Sequence, residues 1–93
     1  MLYKTTVREY IYSGRSEALR RIIAKMVENK DVSAVAFLRG IFEVRYDTGL
    51  TVTLMTKEDA VEITITSNNL EEVKSKAEEF SKIIEGFLKE QEK

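Results

Sequence analysis

Two sets of side chains in this sequence have the types and spacing that recognition chemistry uses. The first interleaves aromatic and basic residues near the N-terminus: Tyr3, Lys4, Arg8, Tyr10, Tyr12 and Arg15, joined by Arg20 and Arg21 and, further on, by Arg39 and Arg45. Aromatic rings stack on unpaired bases and guanidinium groups neutralise phosphates, so this alternation on a strand suits single-stranded nucleic acid. The plainer reading is that tyrosine is a common strand residue and a nearby arginine packs on its ring. The second set is Thr51, Thr53, Glu62, Thr64 and Thr66, with Glu43 and Arg45, on the outward positions of alternating strands. Such a face is ordinary solvated strand surface, or else a sheet that packs on a second sheet or a second copy.

Catalytic chemistry finds little to work with. The chain has no histidine and no cysteine, which removes the commonest general base, the commonest metal ligand and the thiolate nucleophile. A metal would have to be held by carboxylates, and no spacing resembles a calcium loop. Glu43 and Glu62 are the pair closest to glycosidic acid–base work, and both sit on the solvated strand faces. The glycines at 14, 40, 49 and 86 are isolated, so no phosphate-cradling loop can be built. The sequence therefore predicts no enzyme, no cofactor and no small-molecule substrate.

Ninety-three residues suit one domain, and an apolar content of 43% with 33% charge is too apolar for a disordered chain. No apolar stretch approaches the roughly eighteen residues of a membrane span. Met1 to Glu9 alternates polar and apolar residues and lacks the apolar run of a secretory signal, so the expected location is cytoplasmic. Abundant Glu and Lys with a single glutamine is the bias of hyperthermophile proteins. Charge is uneven along the chain. Nine basic and five acidic residues precede Asp47, against six basic and eleven acidic from there on. That division reads as a nucleic-acid face, as complementary patches that pair copies of the chain, or as charge that mixes once the chain folds.

The elements that must position these residues follow from periodicity. Tyr3 to Tyr12 is rich in strand formers, with Val7, Glu9 and Ile11 on one face and Arg8, Tyr10 and Tyr12 on the other. Its place in a sheet is not fixed by this pattern. A helix over 17–29 presents Ala18, Leu19, Ile22, Ile23, Met26 and Val27 as one stripe, with Ser16 as its cap and Glu17–Arg21 as an i,i+4 pair. Val32 to Tyr46 is strand-forming almost throughout. Arg39-Gly40 in its middle is either a bulge in one long bent strand or a tight turn; the expectation is the bent strand, because primed turns favour Asn or Asp before Gly. Asp47-Thr48-Gly49 and Lys57-Glu58-Asp59 are turns around strands over 50–56 and 60–66, with Val52, Leu54, Val61, Ile63 and Ile65 inward. A last helix begins after a cap at Asn68 or Asn69, and its stripe of Leu70, Val73, Ala77, Phe80, Ile84 and Phe87 covers the sheet.

From Arg15 onward the order α-β-β-β-α resembles double-stranded-RNA-binding domains. Those place a lysine cluster where this chain has Leu70-Glu71-Glu72-Val73, so the resemblance ends at element order. A β-α-β-β-α portion is similar in outline to the small dimerising subunits of the archaeal tRNA-modification complex, with no motif residue carrying the likeness. The fold class expected is α+β: a two-layer sandwich, a mostly antiparallel four-stranded sheet with two helices packed on one face, in the order β-α-β-β-β-α. The function expected is a non-enzymatic binding or assembly module, a homodimer or a subunit of a larger complex. The alternative is a protein that binds RNA or single-stranded nucleic acid through its basic half.

Overall fold

The alternating segments pair into a single sheet and the two striped segments form helices over it. The structure, a computed structural model, describes residues 1–11 and 13–91. Its elements are β1 (Tyr3–Tyr10), α1 (Arg15–Val27), β2 (Val32–Leu38), β3 (Ile41–Tyr46), β4 (Thr51–Lys57), β5 (Ala60–Ser67) and α2 (Leu70–Gln91). The sheet has five strands in the order β1-β5-β4-β3-β2, every neighbouring pair antiparallel. The class is α+β with both helices on one face, and the sheet gains a strand over the expected four.

The added strand comes from Arg39-Gly40. These two residues are a tight turn, not a bulge in a bent strand. Arg39 has φ 54° and Gly40 φ 81°, the pair of positive values that a type I′ hairpin turn requires. Arginine takes the left-handed region at a cost that Asn would largely avoid. Cross-strand pairs offset that cost, with Phe37 opposite Phe42 and Leu38 opposite Ile41. A bulge does occur in this hairpin, but at Ser33, where the register shifts between Val32 and Ala34.

β1 pairs within its own chain. It lies along β5 over its full length, from Tyr3 opposite Ser67 to Tyr10 opposite Ala60. Asp59 carbonyl accepts the Ile11 amide at 2.9 Å, fastening the strand's end to the β4–β5 turn. Ile11 is fully buried, so the polar–apolar alternation of β1 is resolved in favour of the Val7 face.

The core lies between the helices and one sheet face. Ala18, Leu19, Ile22 and Met26 of α1 and Val73, Phe80, Ile84 and Phe87 of α2 meet Val44, Val52, Leu54, Val61, Ile63 and Ile65. Each large side chain so buried contributes roughly 1.5–3 kcal/mol. α1 begins two residues earlier than its pattern suggests. Gly14, left-handed at φ 79°, caps it without a side-chain bond, and Ser16 lies inside the helix. At α2 the Asn69 carboxamide oxygen accepts the Glu72 amide at 3.2 Å. Buried Ser67 donates to the Glu72 carboxylate at 2.9 Å and accepts the Asn69 amide at 3.1 Å. No helix among the described residues is long and apolar enough to cross a membrane.

Candidate docking surface on the outer hairpin

The two helices do not cover the whole sheet. α2 lies over β1 and β5, and α1 over β4 and β5. β2, the edge strand beyond β3, is left bare. Every residue from Ser33 to Leu38 is exposed. Val35 and Phe37 point to the helix side, because they pair with Val44 and Phe42. Phe37 keeps 60% of its surface in solvent and Leu38 keeps 71%. Leu38 and Ile41 face the opposite side with Ala34 and Ala36, since side chains alternate along a strand. From Ala34 to Leu38, β2 is thus apolar on both faces and uncovered on both, while β3 adds Glu43 and Arg45 to the open face.

Apart from the bulge at Ser33, the free edge of β2 carries none of the usual protection. No Lys, Pro or acidic residue stands between Val32 and Leu38, whereas edge strands ordinarily use such residues to block pairing with another chain. β1, at the opposite edge, carries Lys4, Arg8 and Glu9. On the helix side a shallow cleft opens between the hairpin and α1, lined by Leu19, Arg20, Phe37, Phe42 and Thr56.

The basic and aromatic residues singled out in the sequence do not gather on one surface. Arg8 and Tyr10 lie on the open face of β1, and Arg45 lies on the open face of β3, beyond β5 and β4. Arg15, Arg20 and Arg21 belong to α1, on the other side of the sheet. Arg39 sits at the β2–β3 turn. Tyr12 lies outside the described residues. Most of these arginines already hold carboxylates: Arg8 with Glu62 at 3.1 Å, Arg20 with Glu17 at 2.9 Å, Arg45 with Glu43 at 2.7 Å, and Arg21 with both Glu17 and Glu90. Arg21 also stacks over the Phe87 ring at 5.2 Å, and its pairing with Glu90 holds its pKa above the ordinary arginine value. Arg15 donates to the Ile11 carbonyl at 2.8 Å. The Arg8–Glu62 and Arg21–Glu90 pairs join the basic half of the sequence to the acidic half, so the charge division along the chain is mixed by folding.

The threonine set is brought together. Arg45, Thr51, Thr66 and Lys4 form one cross-strand row of the open face, and Glu43, Thr53, Thr64 and Thr6 form the next. Thr6 and Thr64 hydroxyls lie 3.3 Å apart. Glu62 follows in the third row, opposite Arg8. Each of these threonines except Thr6 is half-buried by its neighbours, leaving a polar ladder with little apolar area to offer. Glu43 and Glu62 lie in different rows with β4 between their strands. Among the described residues no three His, Cys, Asp or Glu side chains come close enough to hold a metal ion.

No model of a known protein family matches the chain, and no curated protein matches it. The surface that stands out, Val35, Phe37, Leu38 and Ile41, is one that the sequence reading passed over. The signal was there in the charge-free run from Val32 to Leu38 followed by Arg-Gly. The expected single bent strand hid the turn at Arg39-Gly40, and with it the existence of a separate edge strand.

Proposed function

We propose that this chain is a non-enzymatic assembly module that docks through the β2–β3 hairpin. The observation that carries the reading is the exposure of Val35, Phe37 and Leu38 on an edge strand without a charge. Completing the burial of these three side chains is worth roughly 3–5 kcal/mol at the usual value per side chain. Unpaired edge amides and carbonyls add a directional component. The threonine ladder of the open face supports docking less well, because its threonines other than Thr6 are half-buried by their neighbours and its side chains are polar.

The test is native mass spectrometry of complexes isolated under identical conditions with the wild type and with Phe37→Lys. Thermal melts confirm that the variant is folded. The expected result is that the variant loses the association, with itself or with other chains, that the wild type retains. An unchanged set of complexes would remove the hairpin as the docking surface.

A further inference from the structure

The edge of β2 is complementary to itself, and we infer that it pairs antiparallel with β2 of a second copy about a two-fold axis at Ala36. This rests on the assembly reading above and names the partner.

The register follows from the hairpin. The bulge at Ser33 and the turn at Arg39 bound the regular part of β2 to Ala34–Leu38, and its midpoint is Ala36. A two-residue turn makes Leu38 and Ile41 the closing pair. By the alternation of an antiparallel ladder, the backbone groups of Ala34, Ala36 and Leu38 then turn towards β3, and those of Val35 and Phe37 turn to the open edge. An axis at Ala36 sets Val35 against the partner's Phe37, so the outward-turned groups of both strands meet. Shifting the pairing by one residue sets outward groups against inward ones and forfeits the bonds.

Side-chain sizes fit the same register. Leu38 meets the partner's Ala34, Phe37 meets the partner's Val35, and Ala36 meets its own copy at the axis. A large residue faces a smaller one at every rung but the central one, where two methyl groups allow close approach. An axis perpendicular to the sheet keeps the helices of both copies on one side. Val35 and Phe37 of each chain therefore pack together on the helix face, next to Phe42, whose ring centroid is 4.4 Å from that of Phe37.

Charge favours a second copy over a charged partner. The strip is neutral from Val32 to Leu38, so pairing brings no like charges together. The nearest charges on β3, Glu43 and Arg45, satisfy one another at 2.7 Å. The product is a continuous sheet of two five-stranded halves, with β1 at each outer edge.

The chain has no cysteine, so single introduced thiols report the register. The experiment combines light scattering of the wild type with mild oxidation of Ala36→Cys, of Val35→Cys, of Phe37→Cys, and of the last two mixed. An antiparallel non-hydrogen-bonded pair brings Cα atoms to about 4.5 Å and a hydrogen-bonded pair to about 5.5 Å, both within disulfide reach. The expected result is a dimeric wild type, near-complete cross-linking of Ala36→Cys alone, and cross-linking of Val35→Cys with Phe37→Cys only when the two are mixed. Cross-linking of Val35→Cys with itself, and not of Ala36→Cys, would overturn the register. A dimer in which none of these thiols cross-links would overturn β2 self-pairing and leave an assembly module with another interface. A monomeric wild type whose complexes with other chains are lost in Phe37→Lys would overturn the second copy as partner and leave the docking surface in place.

Discussion

Phe37 stacks on Phe42 across the β2–β3 ladder, ring centroids 4.4 Å apart and planes tilted by 38°, yet it leaves 60% of its surface in water. One face of the ring stabilises the hairpin within the chain. The rest of its surface stays open to solvent among the described residues. This half-used aromatic separates residues that hold the fold from residues that serve contact, and the two classes respond differently to truncation.

Phe80 is 1% exposed at the centre of the core, so Phe80→Ala should cost about 3–5 kcal/mol of unfolding free energy. That is a large part of the 5–15 kcal/mol, in round terms about 10, typical of a small domain. Phe37→Ala should cost only about 1 kcal/mol, from partial burial and one ring pair. Urea unfolding at low protein concentration checks both. A Phe37→Ala loss as large as that of Phe80→Ala would show that the hairpin ring belongs to the core.

Arg39 occupies a left-handed position, at φ 54°, directly before Gly40. Arg39→Asn should stabilise the protein by roughly 0.5–1 kcal/mol, because Asn tolerates this region and suits the first position of a type I′ turn. Gly40→Ala should destabilise it by a similar or larger amount, since its φ of 81° disfavours any Cβ although space for one is open. Thermal melts of the two variants should move in opposite directions.

The Tyr46 hydroxyl has its pKa pushed up to about 12 from the usual 10.0, by burial first and by the charge of Glu79 second. Below pH 10 the hydroxyl is neutral in both folded and unfolded chains and exerts no pH dependence. Between pH 10 and about 12 the unfolded chain releases this proton and the folded chain keeps it, so stability falls as pH rises through that window. Tyr46→Phe should flatten this part of the alkaline slope in denaturation measured from pH 9 upward. The absorbance titration at 295 nm should lose a component near pH 12 as well.

Four of the arginines that suggested nucleic-acid binding are held by carboxylates, and the set is divided between two faces of the sheet. Fluorescence anisotropy with a labelled single-stranded RNA should show weak binding at low salt, lost at physiological salt. The triple variant Arg8→Ala, Arg20→Ala, Arg21→Ala should bind much as the wild type does. Tight binding with a steep salt slope that the triple variant lowers would instead establish a basic interface.

Local pattern determined much of this molecule. The stripe through Ala18, Leu19, Ile22 and Met26 makes α1 amphipathic wherever it docks, and that through Val73, Phe80, Ile84 and Phe87 does the same for α2. Period-two alternation sent Val52, Leu54, Ile63 and Ile65 inward. The turns after Tyr46 and after Lys57 and the Glu17–Arg21 pair, at 3.5 Å, were equally legible, as was a cap at Asn68 or Asn69, of which Asn69 is the one, because each depends on residues a few positions apart. Tertiary structure decided the rest. Arg39 takes positive φ because Phe37 and Leu38 gain Phe42 and Ile41 as partners, a gain invisible in the dipeptide itself. β1 pairs with β5 across fifty or more positions of chain, and no local signal encodes that choice. Which edge stays bare depends on where two helices of fixed length can lie: they cover β1, β5 and β4, and the sheet continues past them to β2. The exposure of Phe37 and Leu38 is a consequence of that coverage, since burial depends on what packs above a residue and not on the residue alone.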